Sequence, residues 1–153
     1  MLFDALERST PNDSNHIARD LFRGTMLDLL QCSKCGHKRS SEAPYMDLQV
    51  DVADMHTVEQ GLQKLTTAEI LDGDNMWECE ACNAKVRAEK GLILKAESLP
   101  DILTLQLRRF SFDYSTMRRV KLCNSIAIPE ELDMQPYTEQ RNAAAALGPT
   151  TMM

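Results

Sequence analysis

The sequence predicts an α+β chain built largely of strands, with short helices and a zinc-ribbon-like tip. Three observations carry that expectation. Two C-x-x-C pairs, Cys32/Cys35 and Cys79/Cys82, are separated by 43 residues. Met46, Leu48, Val50 and Val52 alternate with Asp47, Gln49 and Asp51, the two-residue period of a strand with one buried face. Val58, Leu62 and Leu65 recur at helical spacing behind a capping box formed by Thr57 and Gln60. The 153 residues, 43% hydrophobic and 26% charged, suffice for one domain or a large part of one.

In chain order, Leu2, Phe3 and Leu6 share a helical face, residues 9–15 form a polar loop, and Ile17, Leu21 and Phe22 make a short amphipathic turn stopped by Gly24. An apolar run, 26–30, leads into Cys32. After the strand at 46–52 and the helix at 58–65, residues 71–75 carry the Asp, Gly and Asn of a turn, because these residues tolerate left-handed backbone. Residues 85–95 form an extended arm, and residues 102–107 form a buried strand. Asp113 to Thr116 form a hairpin turn leading to a strand at 118–122, and residues 126–129 form one more short strand. The segment 135–153, with four alanines after Asn142, has almost nothing to bury and is expected to be disordered.

Charge narrows the partners. Seventeen Lys and Arg against 23 Asp and Glu leave a net charge of -6, which opposes binding to nucleic acid or an anionic membrane. No apolar run approaches the roughly 18 residues of a membrane span, and the acidic opening lacks the pattern of a secretory signal. An intracellular protein, cytoplasmic or nuclear, is expected, and in a reducing compartment paired cysteines favour metal over disulfides. Four thiolates on two tight turns complete a tetrahedral shell for structural zinc, with no open position for a catalytic water. The alternative is four buried free thiols. His37, two residues after Cys35, is expected to be exposed beside the site, with a ligand role as its alternative. Cys123, outside both pairs, is expected to be a half-buried structural thiol, and Arg108, Arg109, Arg118 and Arg119 are expected to be solvated, some facing acidic neighbours.

A series of blocks resembles the ubiquitin-specific protease family. They include Leu21-Phe22-Arg23-Gly24, both cysteine pairs, Tyr45-Met46-Asp47-Leu48, Glu69-Ile70-Leu71-Asp72-Gly73-Asp74-Asn75, Ala88-Glu89-Lys90-Gly91, and Leu105-Gln106-Leu107-Arg108-Arg109-Phe110. Their order and spacing follow the family, which no lone motif achieves. The resemblance implies the fingers and part of the palm of a papain-like catalytic domain, mostly antiparallel β. Residues 1–134 would be a partial domain, with 1–30 a helical remnant, 31–98 the zinc-bearing fingers and 99–134 palm strands, followed by the tail 135–153. It implies ubiquitin or ubiquitinated proteins as partners, four-cysteine zinc at the fingertip, and Phe110 lining the channel for the ubiquitin tail. An aromatic at a strand end is also a common core residue, so Phe110 has two readings.

The family hydrolyses ubiquitin conjugates with a cysteine thiolate activated by histidine. Its cysteine box would lie upstream of the helix at Met1 and its histidine box downstream of Gln135. Neither is expected within these residues, and the chain is expected to be inactive alone. A non-catalytic, zinc-stabilised ubiquitin-binding or regulatory module is the alternative.

Overall fold

The computed structural model describes residues 15–138. In chain order the elements are α1 (Asn15–Phe22), β1 (Gly24–Cys32), β2 (Lys38–Tyr45), β3 (Leu48–Asp51), α2 (Val58–Thr66), β4 (Glu69–Leu71), β5 (Trp77–Cys79), β6 (Ala84–Val86), β7 (Ala88–Leu94), β8 (Leu105–Arg108), β9 (Phe110–Asp113) and β10 (Arg118–Lys121). The architecture is mostly antiparallel strand with short helices, as the sequence predicts. Contacts divide the described residues into two compact units, one of 15–24, Tyr45–Leu65 and Ser98–Asp133, the other of Thr25–Pro44, Thr66–Glu97 and 134–138. Residues 45–65 thus cluster with 98–133, and 66–97 with 25–44.

The second unit is a four-stranded sheet in the order β2-β1-β7-β4, with a separate ribbon of β5 and β6. Helix α1 closes with the Arg23 N–H donating to the Arg19 carbonyl at 3.0 Å, and the chain then becomes extended. Residues 24–30, grouped with the helical segment by the sequence, are thus strand. The apolar run 26–30 is too short for its period to choose between helix and strand, and pairing with β7 from Met26↔Leu94 to Cys32↔Ala88 supplies its backbone partners. Strand β4 lies antiparallel on the other edge of β7. The turn at 71–75 forms where expected, with the Asn75 N–H donating to the Asp72 carbonyl at 3.0 Å.

The first unit is built on β3, which pairs in parallel with β8 from Leu48↔Leu105 to Asp51↔Arg108. Leu48, Val50 and Val52 are buried as the alternation requires, together with Val58 and Leu62 of α2, while Met46, expected to start the strand, is half-buried in the bend before it. The capping box forms reciprocally: the Gln60 N–H donates to Thr57 Oγ1 at 3.3 Å, and Gln60 Oε1 accepts from the Thr57 and His56 N–H groups at 3.4 and 2.8 Å. Gly61 lets α2 lie directly on β3, since a side chain there would collide with Val50. Asn124 Nδ2 donates to the Val52 and Met55 carbonyls at 2.8 and 3.1 Å, fixing the loop after β3.

Three expectations need correction. The strand expected over 102–107 begins at Leu105 and is half-buried, with Ile102 45% exposed, because among the described residues β8 pairs with β3 alone. Residues 126–129 make a single bridge, Thr57↔Ala127, and Ile128 is exposed; Pro129 has no N–H to continue a ladder. The segment expected to be disordered from 135 is ordered through 138: Gln135–Tyr137 is a 3-10 turn, Tyr137 and Thr138 are buried, and Thr138 bridges to Leu94. The Tyr137 ring supplies buried apolar area that overall composition conceals. The helix expected at the N-terminus and the tail beyond 138 lie outside the described residues.

Candidate functional site

Each cysteine pair sits on a turn whose geometry the local sequence supports. Cys32 ends β1, its N–H donating to the His37 carbonyl at 2.9 Å while its carbonyl accepts from Gly36 at 3.0 Å. The N–H groups of Lys34 and Cys35 point at Cys32 Sγ, at 3.3 and 3.4 Å. Gly36, immediately after the pair, has φ +73°, and Asn83, immediately after the second pair, has φ +48°. Both turns need left-handed backbone at that position, which Gly and Asn adopt most readily. These two residues were missed from the sequence, although a Gly or Asn directly after each C-x-x-C was the available signal. The second turn joins β5 to β6, in register Cys79↔Ala84, and the Ser33 N–H donates to the Arg87 carbonyl at 3.0 Å, tying the first turn to the second ribbon.

The structure brings Cys32, Cys35, Cys79 and Cys82 together, with all four sulfurs within 4.8 Å of one another. Cys32 Sγ lies 3.8 Å from Cys82 Sγ, and Cys35 Sγ lies 3.7 Å from Cys79 Sγ. Disulfide sulfurs lie about 2.05 Å apart, so these are free thiols. Ligands about 2.3 Å from a tetrahedral zinc stand about 3.8 Å from one another, which makes the cluster compatible with zinc. Cys32 and Cys79 are buried with Val86, and Trp77 and Cys82 pack against them. His37 is not among the clustered ligands; it is half-buried, its ring stacked on Trp77 at 6.2 Å and 6°. That stacking replaces the solvent-exposed position expected for it.

Electrostatics point the same way. The Cys35 backbone N–H, aided by that of Lys34, pulls the Cys32 thiol down to about 6 against the opposing effect of burial. Hydrogen bonding with the Cys35 thiol, burial and the Cys32 charge push Cys82 up to about 12. Cys32 thus ionises at the expense of Cys82, a conflict that a divalent cation among the four removes.

In the other unit, a cavity of about 490 Å³ is lined by Asp51, Arg108, Phe110, Phe112, Arg119 and Leu122, among others. Phe110 is 65% exposed, so it belongs to the cavity wall and not to a core. Asp51 accepts ion pairs from Arg108 at 3.2 Å and Lys64 at 3.3 Å. Arg109 Nη1 donates to the Asn124 carbonyl at 3.0 Å, while Arg118 and Arg119 are exposed. Cys123, expected to be half-buried, is exposed just beyond the end of β10, its thiol donating to the Lys121 carbonyl at 3.6 Å.

The family model described as ubiquitin carboxyl-terminal hydrolase matches residues 1–147. Ubiquitin carboxyl-terminal hydrolase 47 of Homo sapiens is 36% identical over 146 residues, covering 91% of this chain and 10% of that protein. The protein of the same name from Drosophila melanogaster is 35% identical over 144 residues, covering 90% and 9%. Ubiquitin carboxyl-terminal hydrolase 34 of Homo sapiens is 33% identical over 138 residues, covering 90% and 4%. The chain thus spans a tenth or less of the length of these relatives. With a match over nearly all of its residues and a four-cysteine cluster assembled from two distant turns, the chain belongs to the ubiquitin carboxyl-terminal hydrolase family.

Proposed function

We propose that these residues are the ubiquitin-gripping part of a cysteine-type deubiquitinase, stabilised by one structural zinc held by Cys32, Cys35, Cys79 and Cys82. The four-sulfur cluster carries this reading: its spacing suits zinc, and membership of the ubiquitin carboxyl-terminal hydrolase family supports a role in ubiquitin removal. Zinc supplies folding free energy here and no chemistry, since four thiolates leave no position for water. The sheet of β1, β2, β4 and β7 with the β5–β6 ribbon corresponds to the fingers, and β8–β10 to the palm. Phe110, exposed on its cavity, contacts the ubiquitin tail, and the partner is ubiquitin or a ubiquitinated protein.

The same residues do not hydrolyse the conjugate by themselves. Four of the five cysteines are committed to the cluster, and the fifth, Cys123, rests on a backbone carbonyl. His37, half-buried against Trp77, lies beside the cluster in the other unit from Cys123. A reducing intracellular setting, cytoplasmic or nuclear, suits four free thiols kept for metal.

An NMR titration of isotope-labelled ubiquitin with the zinc-loaded chain tests this reading. Localised, saturable shifts on ubiquitin, with no release of a fluorogenic amide from its C-terminus, are expected. A folded, zinc-loaded chain that leaves the ubiquitin spectrum unchanged overturns the gripping role, and amide release overturns the inactivity.

A further inference from the structure

We propose that the four-thiol cluster is a redox-exchangeable staple, in which a hydroperoxide expels the metal and joins Cys35 to Cys79 and Cys32 to Cys82 as disulfides. The inference rests on the zinc reading for the metal it expels, but the pairing stands on the chain's own geometry. Each pair already has its sulfurs at 3.7 and 3.8 Å, so each closes by about 1.7 Å of side-chain rotation to reach the disulfide separation of about 2.05 Å. Each pair also joins one buried sulfur to one more accessible: Cys35 is exposed and Cys79 buried, Cys82 is half-buried and Cys32 buried. That division separates the thiol that meets the oxidant from the thiol that resolves the product.

The Cys35 sulfur attacks the hydroperoxide, breaking its O–O bond, and becomes a sulfenic acid as alcohol or water leaves. The Cys79 sulfur attacks that sulfenic sulfur, the S–S bond forms, and the hydroxyl departs as water with a proton. Cys82 and Cys32 repeat the sequence with a second hydroperoxide. Four sulfurs give up four electrons to two O–O bonds, and the metal ion leaves unchanged in oxidation state, because disulfide sulfur is a poor ligand.

The connectivity decides the outcome for the fold. A disulfide within either C-x-x-C would cut the link between the two turns, and at Cys32–Cys35 it would displace the Lys34 and Cys35 N–H groups from Cys32 Sγ. The pairs between turns keep that link, so the tip exchanges one cross-link for another and remains closed.

The test begins with metal analysis of the full chain, which settles the zinc reading by itself. Zinc-loaded and chelator-stripped samples are then treated with hydrogen peroxide, and the disulfides are mapped by peptide mass spectrometry under non-reducing conditions. The expected pairs in both samples are 35–79 and 32–82; in the zinc-loaded sample two peroxides are consumed per zinc released and amide protection at 77–86 is retained until a reductant is added, and in the stripped sample that protection is gained on oxidation. Disulfides at 32–35 and 79–82, sulfinic acids in place of disulfides, or loss of protection on oxidation overturns the inference, even when zinc is bound. A chain that binds no zinc but forms the 35–79 and 32–82 pairs overturns the metal reading and supports the pairing.

Discussion

The four-sulfur tip and the β9–β10 hairpin are both ribbons of very short strands, yet they bury their residues in opposite ways. In the tip, β5 and β6 are three residues each, and Cys79 and Cys32 are 0% and 1% exposed. In the hairpin, β9 and β10 are four residues each, and Phe110, Phe112 and Val120 are 65%, 44% and 44% exposed. A lone two-stranded ribbon is marginal in water. Sulfur atoms converging from two turns give the tip a core that its strands are too short to provide. Among the described residues the hairpin has its ladder, its turn and the edge-on contact of Phe112 with Tyr114 at 5.1 Å, and it leaves Phe110 and Phe112 on a cavity wall where a ligand can reach them.

The largest expected effect comes from removing that convergence. Structural zinc contributes on the order of 10 kcal/mol to small sites, far more than a ribbon of three-residue strands supplies. Chelation, or Cys79→Ser, is expected to abolish amide protection at 77–86 in a reducing buffer while leaving the β9–β10 amides unchanged. Protection at 77–86 that survives both treatments would show that the ribbon is held by packing of Trp77 and Val86 alone. A smaller effect is expected in the core beneath β3. Leu62 is 0% exposed, so Leu62→Ala is expected to lower stability by about 2–5 kcal/mol in urea unfolding, with zinc uptake still one ion per chain. Loss of zinc uptake in that variant would mean that the two regions stand or fall in one cooperative transition.

What could be read from the sequence was local. The alternation from Leu48 to Val52, the Thr57–Gln60 cap and the Asp113–Thr116 turn each depend on neighbours a few residues away, and each formed. The cysteine cluster is long-range, but tetrahedral coordination restricts it so strongly that two C-x-x-C pairs suffice to find it. Features set by distant partners were missed. Residues 26–30 become strand because β7, some sixty residues on, offers them a ladder, and apolar content alone does not choose between strand and helix. Thr138 is ordered because Leu94 bridges it, a pairing no window around 135–138 contains. Phe110 carries the same β8-to-β9 sequence whether it is core or cavity wall, and only the absence of a second packed layer among the described residues decides it.

The smallest effect tests how the hairpin holds without a core. The Asp113 carboxylate accepts from the Ser115 N–H at 2.9 Å, from Ser115 Oγ at 2.6 Å and from Thr116 Oγ1 at 2.8 Å. These donors, Ser115 Oγ foremost, hold its pKa at about 2 against an ordinary 3.8. A carboxyl depressed on folding favours the folded hairpin at pH above its unfolded value, and that contribution fades as pH falls from about 3.8 through about 2. The Ser115 amide resonance is therefore expected to titrate near pH 2, and Asp113→Asn to remove the titration and loosen the turn slightly at pH 7. Titration near 3.8 would mean that the turn holds no preference for the anion, leaving the β9–β10 ladder as the hairpin's principal support.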